Sequence, residues 1–350
     1  MDLAAFEQAA RGRLDPAVYD YVAGGADDEL TLAENLAAWA RLRLRPRVLR
    51  DVRRVDTATT LLGTPLPTPI LVAPTGYHGL LHPEGEAATA AGAAAAGSLM
   101  VVSTQANRSL EEVARRAPGA PRWFQVYVHV DHEFTEELVG RAAAAGYSAL
   151  VLTADLPVLG NRRRDVRNRL QFPPGMVLGN AVERYGIEGA DVLAHASRFD
   201  PGLEPATIAW LHRSSGLPVL VKGVLRGDDA DAFVAAGAAG IVVSNHGGRQ
   251  LDTALAGADA LPEVVAAVDG RVAVLVDGGV RLGTDVVKAL CMGASGVLVG
   301  RPVLWGLASG GAEGVRTVLQ GLHDELLRAM ALCGAVSLPE LTPDLLVRPA

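Results

Sequence analysis

The stretch Gly240-Ile241-Val242-Val243-Ser244-Asn245-His246-Gly247-Gly248-Arg249-Gln250-Leu251-Asp252 decides how this chain reads. It opens as a short apolar, β-branched run, the composition of a buried strand. It then breaks, with no spacer, into a polar turn holding an imidazole, a guanidinium and paired glycines. His246 can take a proton near neutral pH, and Arg249 can grip a carboxylate through two parallel hydrogen bonds. Gly247 and Gly248 permit positive φ or a close approach of backbone to ligand. Taken alone, the stretch is better explained as a satisfied histidine in an ordinary glycine turn. The rest of the chain shifts that balance.

Working outward, apolar strand runs alternate with helical segments. The candidate strands are 70–73, 100–103, 123–128, 149–153, 219–222, 240–244, 274–277 and 296–300. Helices are expected over 84–96, 109–116, 131–145, 205–214, 227–236, 261–268, 282–292 and 311–332. Such alternation favours a closed (β/α)₈ TIM barrel over an open doubly wound sheet, which alternation by itself also permits. The chain has 350 residues, whereas a barrel of this kind takes about 250. The surplus is expected as an N-terminal helical extension and small hairpin over residues 1–65 and a lid loop over 156–204, all within a single domain, 1–350. A connection of that length after the fourth strand, rich in Arg, Gly and Pro, reads as a functional lid.

Composition narrows the function. With 49% hydrophobic and 20% charged residues the chain is neither disordered nor fibrous. A net charge of −7 disfavours nucleic acid or an anionic membrane as partner. Lys222 and Lys288 are the only lysines, so the place of Lys222 at a strand end needs a reason. Cys291 and Cys333 lack metal-ligand spacing and read as core thiols of a reducing compartment. No metal site is expected. The N-terminal residues lack the basic and apolar regions of a signal peptide, and no apolar run reaches membrane-spanning length, so a cytoplasmic location is expected.

In a barrel, chemistry collects at the carboxyl ends of the strands. Here those ends carry Thr75-Gly76, Ser103, Gln125 with Tyr127, Thr153 with Asp155, Lys222, Ser244 with His246, Asp277-Gly278-Gly279-Val280-Arg281 and Gly300-Arg301. One shared ligand site explains them better than a series of coincidences. Loops after strands seven and eight commonly hold phosphate in this fold, and Gly279, Arg281, Gly300 and Arg301 supply backbone N–H groups and guanidiniums for it. The polar ring of Ser103, Gln125, Thr153 and Ser244, with Lys222, suits an isoalloxazine, because a fixed cation stabilises developing negative charge.

These residues resemble the FMN-dependent 2-hydroxy acid oxidases and dehydrogenases, the group containing glycolate oxidase, lactate oxidase, mandelate dehydrogenase and 4-hydroxymandelate oxidase. The resemblance runs from about Tyr19 to Leu332 and is most specific in Ser244–Asp252. It implies that His246 is the catalytic base, that Arg249 and Arg162 bind the substrate carboxylate, and that Tyr127 and Tyr21 bond the substrate. Asp155 would orient the His246 imidazole. FMN would be held by Thr75, Gly76, Ser103, Gln125, Thr153, Lys222, Ser244, Asp277, Gly279, Arg281, Gly300 and Arg301.

The implied reaction oxidises an (S)-2-hydroxy acid to the 2-keto acid, with O2 reoxidising the cofactor to give H2O2. Gly76 replaces an alanine of glycolate and lactate oxidases, and Gln105 stands where glycolate oxidase has tryptophan. Both changes are expected to enlarge the pocket, which favours an aromatic, mandelate-like acid. A lactate- or glycolate-type oxidase, a monooxygenase-like activity, or a dehydrogenase with another acceptor remain the alternatives. The resemblance also implies a homotetramer. His129, His132, His195, His212 and His323 are expected at the surface, His78 and His82 near the pocket, and Arg163 and Arg164 solvated or paired within the lid.

Overall fold

A computed structural model describes residues 2–186 and 198–347. His195 and residues 187–197 of the expected lid therefore lie outside the described residues. The chain begins with α1 (Leu3–Arg13), α2 (Pro16–Ala23) and α3 (Leu30–Arg41). Asp15 caps the start of α2, its carboxylate accepting the Ala17 N–H, and Pro16 sits in the first turn, where its missing donor costs nothing. Next come β1 (Arg43–Leu44) and a hairpin of β2 (Thr59–Leu61) and β3 (Thr64–Leu66).

Eight parallel strands then close on themselves in chain order: β4 (Ile70–Val72), β5 (Met100–Ser103), β6 (Arg122–Val126), β7 (Leu150–Thr153), β8 (Val219–Val224), β9 (Gly240–Val243), β10 (Ala273–Val276) and β11 (Gly296–Val299). This is the expected (β/α)₈ barrel. Around it run α4 (Glu86–Ala95), α5 (Leu110–Arg116), α6 (His132–Ala144), α7 (Arg163–Asn168), α8 (Val182–Tyr185), α9 (Ala206–Ser215), α10 (Gly227–Ala235), α11 (Gly257–Val268), α12 (Gly283–Cys291) and α13 (Arg301–Cys333). The short strand β12 (Leu346–Val347) pairs antiparallel with β1.

The period of two along each strand divides the core. Leu71, Val101, Trp123, Val151, Leu220, Val242, Leu275 and Leu298 belong to a barrel-interior cluster, while alternate residues such as Val72, Val102, Phe124, Val221, Val243 and Val276 pack in the larger cluster shared with the helices. Leu61 and Leu66 of the hairpin join the interior cluster, so β2 and β3 plug the barrel from below and leave its upper end for ligands.

Several boundaries differ from expectation. The helix expected from Leu261 starts at Gly257, where a Cβ would come within 2.7 Å of the Asp277 carbonyl. The final helix begins at Arg301 and is two helices meeting at Gly310 and Gly311, whose φ of −157° and 57° break it. Pairing of β1 with β12 had no local signal, since its partners are two residues each and lie at opposite ends of the chain. The lid region carries α7 and α8, and Phe199 forms a bridge with His129.

Candidate active site

The strand register places the polar ends side by side. Ser103 is paired with Gln125 and Thr153 with Lys222, so their side chains form a continuous arc. The Ser103 hydroxyl donates to Gln125 Oε1 at 2.9 Å, and Gln125 Nε2 donates to Thr153 Oγ1 at 2.9 Å. Lys222 Nζ donates to Ser244 Oγ at 2.8 Å and pairs with Asp277 Oδ2 at 3.1 Å. Burial alone would lower the Lys222 pKa, but Asp277 and Asp155 hold it above its ordinary value. A buried ammonium is thus kept charged by two carboxylates, one just after β7 and one just after β10.

His246 takes φ of 59°, a left-handed conformation that a non-glycine residue adopts only when its surroundings impose it. Its N–H donates to Ser244 Oγ at 3.0 Å. Nδ1 is 2.9 Å from Asp155 Oδ1, and Nε2 is 3.3 Å from the Tyr127 hydroxyl. Burial pushes the His246 pKa below its ordinary value, against the opposing pull of Asp155. Burial would raise the Asp155 carboxyl, yet the His246 imidazole and Lys222 bring it below the usual range. The pair is therefore a neutral imidazole hydrogen-bonded to a carboxylate, the arrangement of a general base with an orienting acid.

Two guanidiniums flank this base. Arg249 Nη1 donates to the carbonyls of Tyr21 at 2.6 Å and Gly24 at 3.0 Å, and its carbon lies 4.9 Å over the Tyr21 ring. Burial and the nearby Arg162 push Arg249 down to about 10. Arg162 Nε is buried without a partner. Two mutually repelling, partly buried cations are relieved when an anion enters between them.

A second cationic group lies at the ends of β10 and β11. Burial, Arg249 and Arg281 together push Arg301 down to about 9, and burial lowers Arg281. Gly278 and Gly279 have φ of 89° and 80°, and a Cβ on Gly279 would fall 1.8 Å from the Asn35 carbonyl oxygen. Helix α13 starts at Gly300 with no side-chain cap. An open helix start, a glycine cradle and two destabilised guanidiniums fit a phosphate. Asp277 Oδ1 is also buried and unpartnered. The polar arc offers the donors and acceptors that an isoalloxazine would need and the cationic end the charge that a phosphate would need, so the residues present fit FMN.

The residues singled out from the sequence converge. Tyr21, Thr75, Gly76, Ser103, Gln105, Gln125, Tyr127, Thr153, Arg162, Lys222, His246, Arg249, Asp277, Gly279, Arg281, Gly300 and Arg301 line one cavity. Asp155 and Ser244 stand behind His246 and Lys222 and hold them. Arg301 also spans to the N-terminal segment, donating to the carbonyls of Val22, Gly24 and Gly247.

Other expectations change. The room expected from Gly76 is filled, since a Cβ there would meet Gln105 Cβ at 2.9 Å and its carbonyl at 3.2 Å. His129 is fully buried among Phe134, Tyr185 and Phe199, and His323 bonds the Thr57 hydroxyl at 2.7 Å. His129 is therefore not a surface residue, because aromatic neighbours enclose it, whereas His323 is partly exposed. His78 is buried behind Thr75, its Nε2 at 2.7 Å from that hydroxyl, and does not line the cavity. Arg163 pairs with Asp27 and Asp28, and Arg164 with Asp20 and Glu29.

The sequence reading missed Tyr77, Leu156, Leu159 and Phe199, which also line the cavity. Apolar residues in a long loop carry no periodic signal. It also missed Asn35, buried on α3 against the glycine loop, although Thr31, Asn35 and Trp39 share one face at a spacing of four.

Comparison with known proteins agrees with this geometry. The sequence pattern of a family described as FMN-dependent dehydrogenase matches residues 10–348. An L-lactate oxidase from Nostoc sp. is 49% identical over 356 residues, covering 99% of this chain and 98% of that protein. A glycolate oxidase from Spinacia oleracea is 47% identical over 344 residues, covering 96% and 93%. Among solved structures, a mandelate oxidase with (S)-4-hydroxymandelic acid is 43% identical with a TM-score of 0.91, covering 97% of this chain and 96% of that one.

Proposed function

We propose, from the premise that the chain belongs to the FMN-dependent dehydrogenase family, that it oxidises an (S)-2-hydroxy acid to the 2-keto acid and passes the electrons to O2, giving H2O2. FMN is the cofactor and, when bound, accepts the two electrons that leave the substrate Cα. Arg162 and Arg249 bind the carboxylate from two sides. Tyr127 and Tyr21 bond the substrate oxygens. His246 takes a proton from the substrate, and Asp155 stabilises the imidazolium that forms. Lys222 supplies positive charge at the polar arc, where negative charge grows as electrons arrive. Arg281 and Arg301, with Gly279 and Gly300, hold the phosphate.

The observation that carries this reading is the convergence of a neutral base, its carboxylate partner and two under-compensated guanidiniums in one cavity. The preferred substrate is an aromatic 2-hydroxy acid. Tyr21, Tyr77, Tyr127, Leu156 and Phe199 line the cavity, and the Tyr127 and Phe199 rings stack with centroids 4.5 Å apart. Lactate is the second reading, favoured by the Nostoc relative and by Gln105 closing the room beside Gly76.

The whole chain acts as one FMN-binding domain, in which the described residues of the extension, 2–65, buttress the barrel and those of the lid, 156–186 and 198–204, cover its mouth. It works as a cytoplasmic homotetramer; among the described residues no helix is long and apolar enough to cross a membrane. An anaerobic visible spectrum, recorded before and after (S)-mandelate or (S)-lactate, tests the proposal. Bleaching by mandelate in preference to lactate supports it, and restoration by air identifies the acceptor. A flavin that neither acid bleaches would reject it.

A further inference from the structure

The base stands on a loop whose backbone is strained at His246, with φ of 59°. Ser244 Oγ holds the His246 N–H on one side, and the side chain of Asn245 braces the turn that follows. Asn245 Oδ1 accepts the Gly248 N–H at 3.0 Å, and Nδ2 donates to the Leu255 carbonyl at 3.0 Å. An N–H can only donate and a carbonyl can only accept, so these contacts fix which end of the amide is which. Asn35 completes the amide's remaining capacity. Its Nδ2 donates to Asn245 Oδ1 at 2.9 Å, and its Oδ1 accepts from Asn245 Nδ2 at 2.7 Å.

Asn35 is 2% exposed and lies on α3, outside the barrel. The helix is itself pinned to the loops it supports. Asp252 accepts the N–H groups of Asp28, Leu30 and Thr31, while Trp39 Nε1 donates to the Gly278 carbonyl at 2.8 Å. A rigid helix thus presents one amide to the base loop.

We infer that Asn35 is a positioning residue, whose reciprocal amide pair with Asn245 holds His246 in register with the substrate. This rests on the reading of His246 as the base. Loss of Asn35 leaves one hydrogen of Asn245 Nδ2 without its partner and Oδ1 with the Gly248 N–H alone, so the amide beside the strained residue is held at fewer points and the loop relaxes. Arg249 is tied independently to the carbonyls of Tyr21 and Gly24, so carboxylate binding survives.

Two variants test this, with wild type and His246→Asn alongside. Asn35→Ala retains FMN, and its limiting rate of flavin reduction falls about 10-fold to 100-fold with KM changed less than about threefold. Asn35→Asp gives a signature that packing alone does not. An ionised carboxylate cannot donate to Asn245 Oδ1, but the protonated acid can donate there and accept from Nδ2. Burial favours that protonated form. The charges on the elements packed there leave burial in control: Asp259 has Arg41, Asp285 has Lys288 and Asp277 has Lys222 as its cation, and Asp252 is held by the N–H groups at the start of α3. The ratio of variant to wild-type rate therefore rises as pH falls from about 8 to about 5.5.

A wild-type rate in Asn35→Ala, or a flat ratio in Asn35→Asp, overturns the inference. Loss of FMN from both variants overturns it too, since a positioning role leaves the cofactor in place. If wild type reduces flavin but His246→Asn does so equally well, the base assignment fails instead.

Discussion

The Asp155 carboxylate reaches the His246 imidazole, Oδ1 to Nδ1 at 2.9 Å, because residue 223 has no side chain. Gly223 has φ of 107°, and a Cβ on it would lie 2.6 Å from both Cβ and Cγ of Asp155. The strand β8 shifts register between Lys222 and Val224, which sets Gly223 beside Asp155, whereas Lys222, two residues after the interior Leu220, points into the barrel by ordinary alternation.

Asp155→Asn should slow flavin reduction by about 10² to 10⁴ while leaving FMN bound. The pH profile gives the direction. Asp155 opposes the fall of the His246 pKa that burial causes, so removing its charge lowers that pKa further. As the proposed base, His246 would act when neutral, so activity should be lost as pH falls through its pKa, and this acid limb should move to lower pH in the variant. Stopped-flow reduction across pH reads both effects. A limb displaced upward would contradict the charge relation.

Tyr127→Phe should reduce the rate of reduction about tenfold, the loss of one buried hydrogen bond near the reacting atoms. Burial, with Asp155 adding to it, raises the Tyr127 pKa, so the hydroxyl stays protonated and acts as a donor throughout the working range. The pH profile should keep its shape while its amplitude drops.

Arg162→Leu and Arg249→Lys should act mainly on KM. Losing a charge-assisted contact to a carboxylate costs about 1.5–3 kcal/mol, or roughly 10-fold to 150-fold in affinity. Lysine at 249 keeps charge but cannot donate to Tyr21, Gly24 and a carboxylate together. Steady-state kinetics with oxalate as a competing dianion separates binding from turnover.

Gly76→Ala should lower Tm, because the new Cβ meets Gln105 Cβ at 2.9 Å. Overpacking of this size costs about 1–3 kcal/mol. Combining it with Gln105→Gly should restore stability, and a wild-type Tm in the single variant would show that Gln105 yields freely.

Arg164→Gln should raise KM several-fold and make the lid easier to cleave with trypsin at Arg163 and Arg167. Helix α7 has no buried residue, and Arg164 pairs with Asp20 of α2 at 3.1 Å and with Glu29. Charge rather than apolar contact therefore anchors the segment next to Arg162. Added salt should increase cleavage of the wild type by the same route, since screening weakens exposed pairs.

Much of this was legible locally. The barrel followed from apolar runs of strand length alternating with helices, because burial on both faces leaves a continuous hydrophobic signature that no other element of that length shares. The polar strand ends named most of the polar residues of the cavity, since a parallel barrel sends each carboxyl end to the same side. Asn35, Gly223 and Phe199 were not legible. Each matters through a contact with a distant part of the chain, and spacing in sequence does not encode such a contact.

The sequence by itself determined the period of the elements, and with it the barrel and the side on which His246, Arg249 and Lys222 emerge. Tertiary structure alone decided the pairing of Asn35 with Asn245, the closure of the room beside Gly76 by Gln105 and the burial of His129. The reason is physical. Periodicity reports which face of an element meets the core, whereas a hydrogen bond or a filled cavity depends on distances of a few ångströms between elements, fixed only when the chain closes on itself.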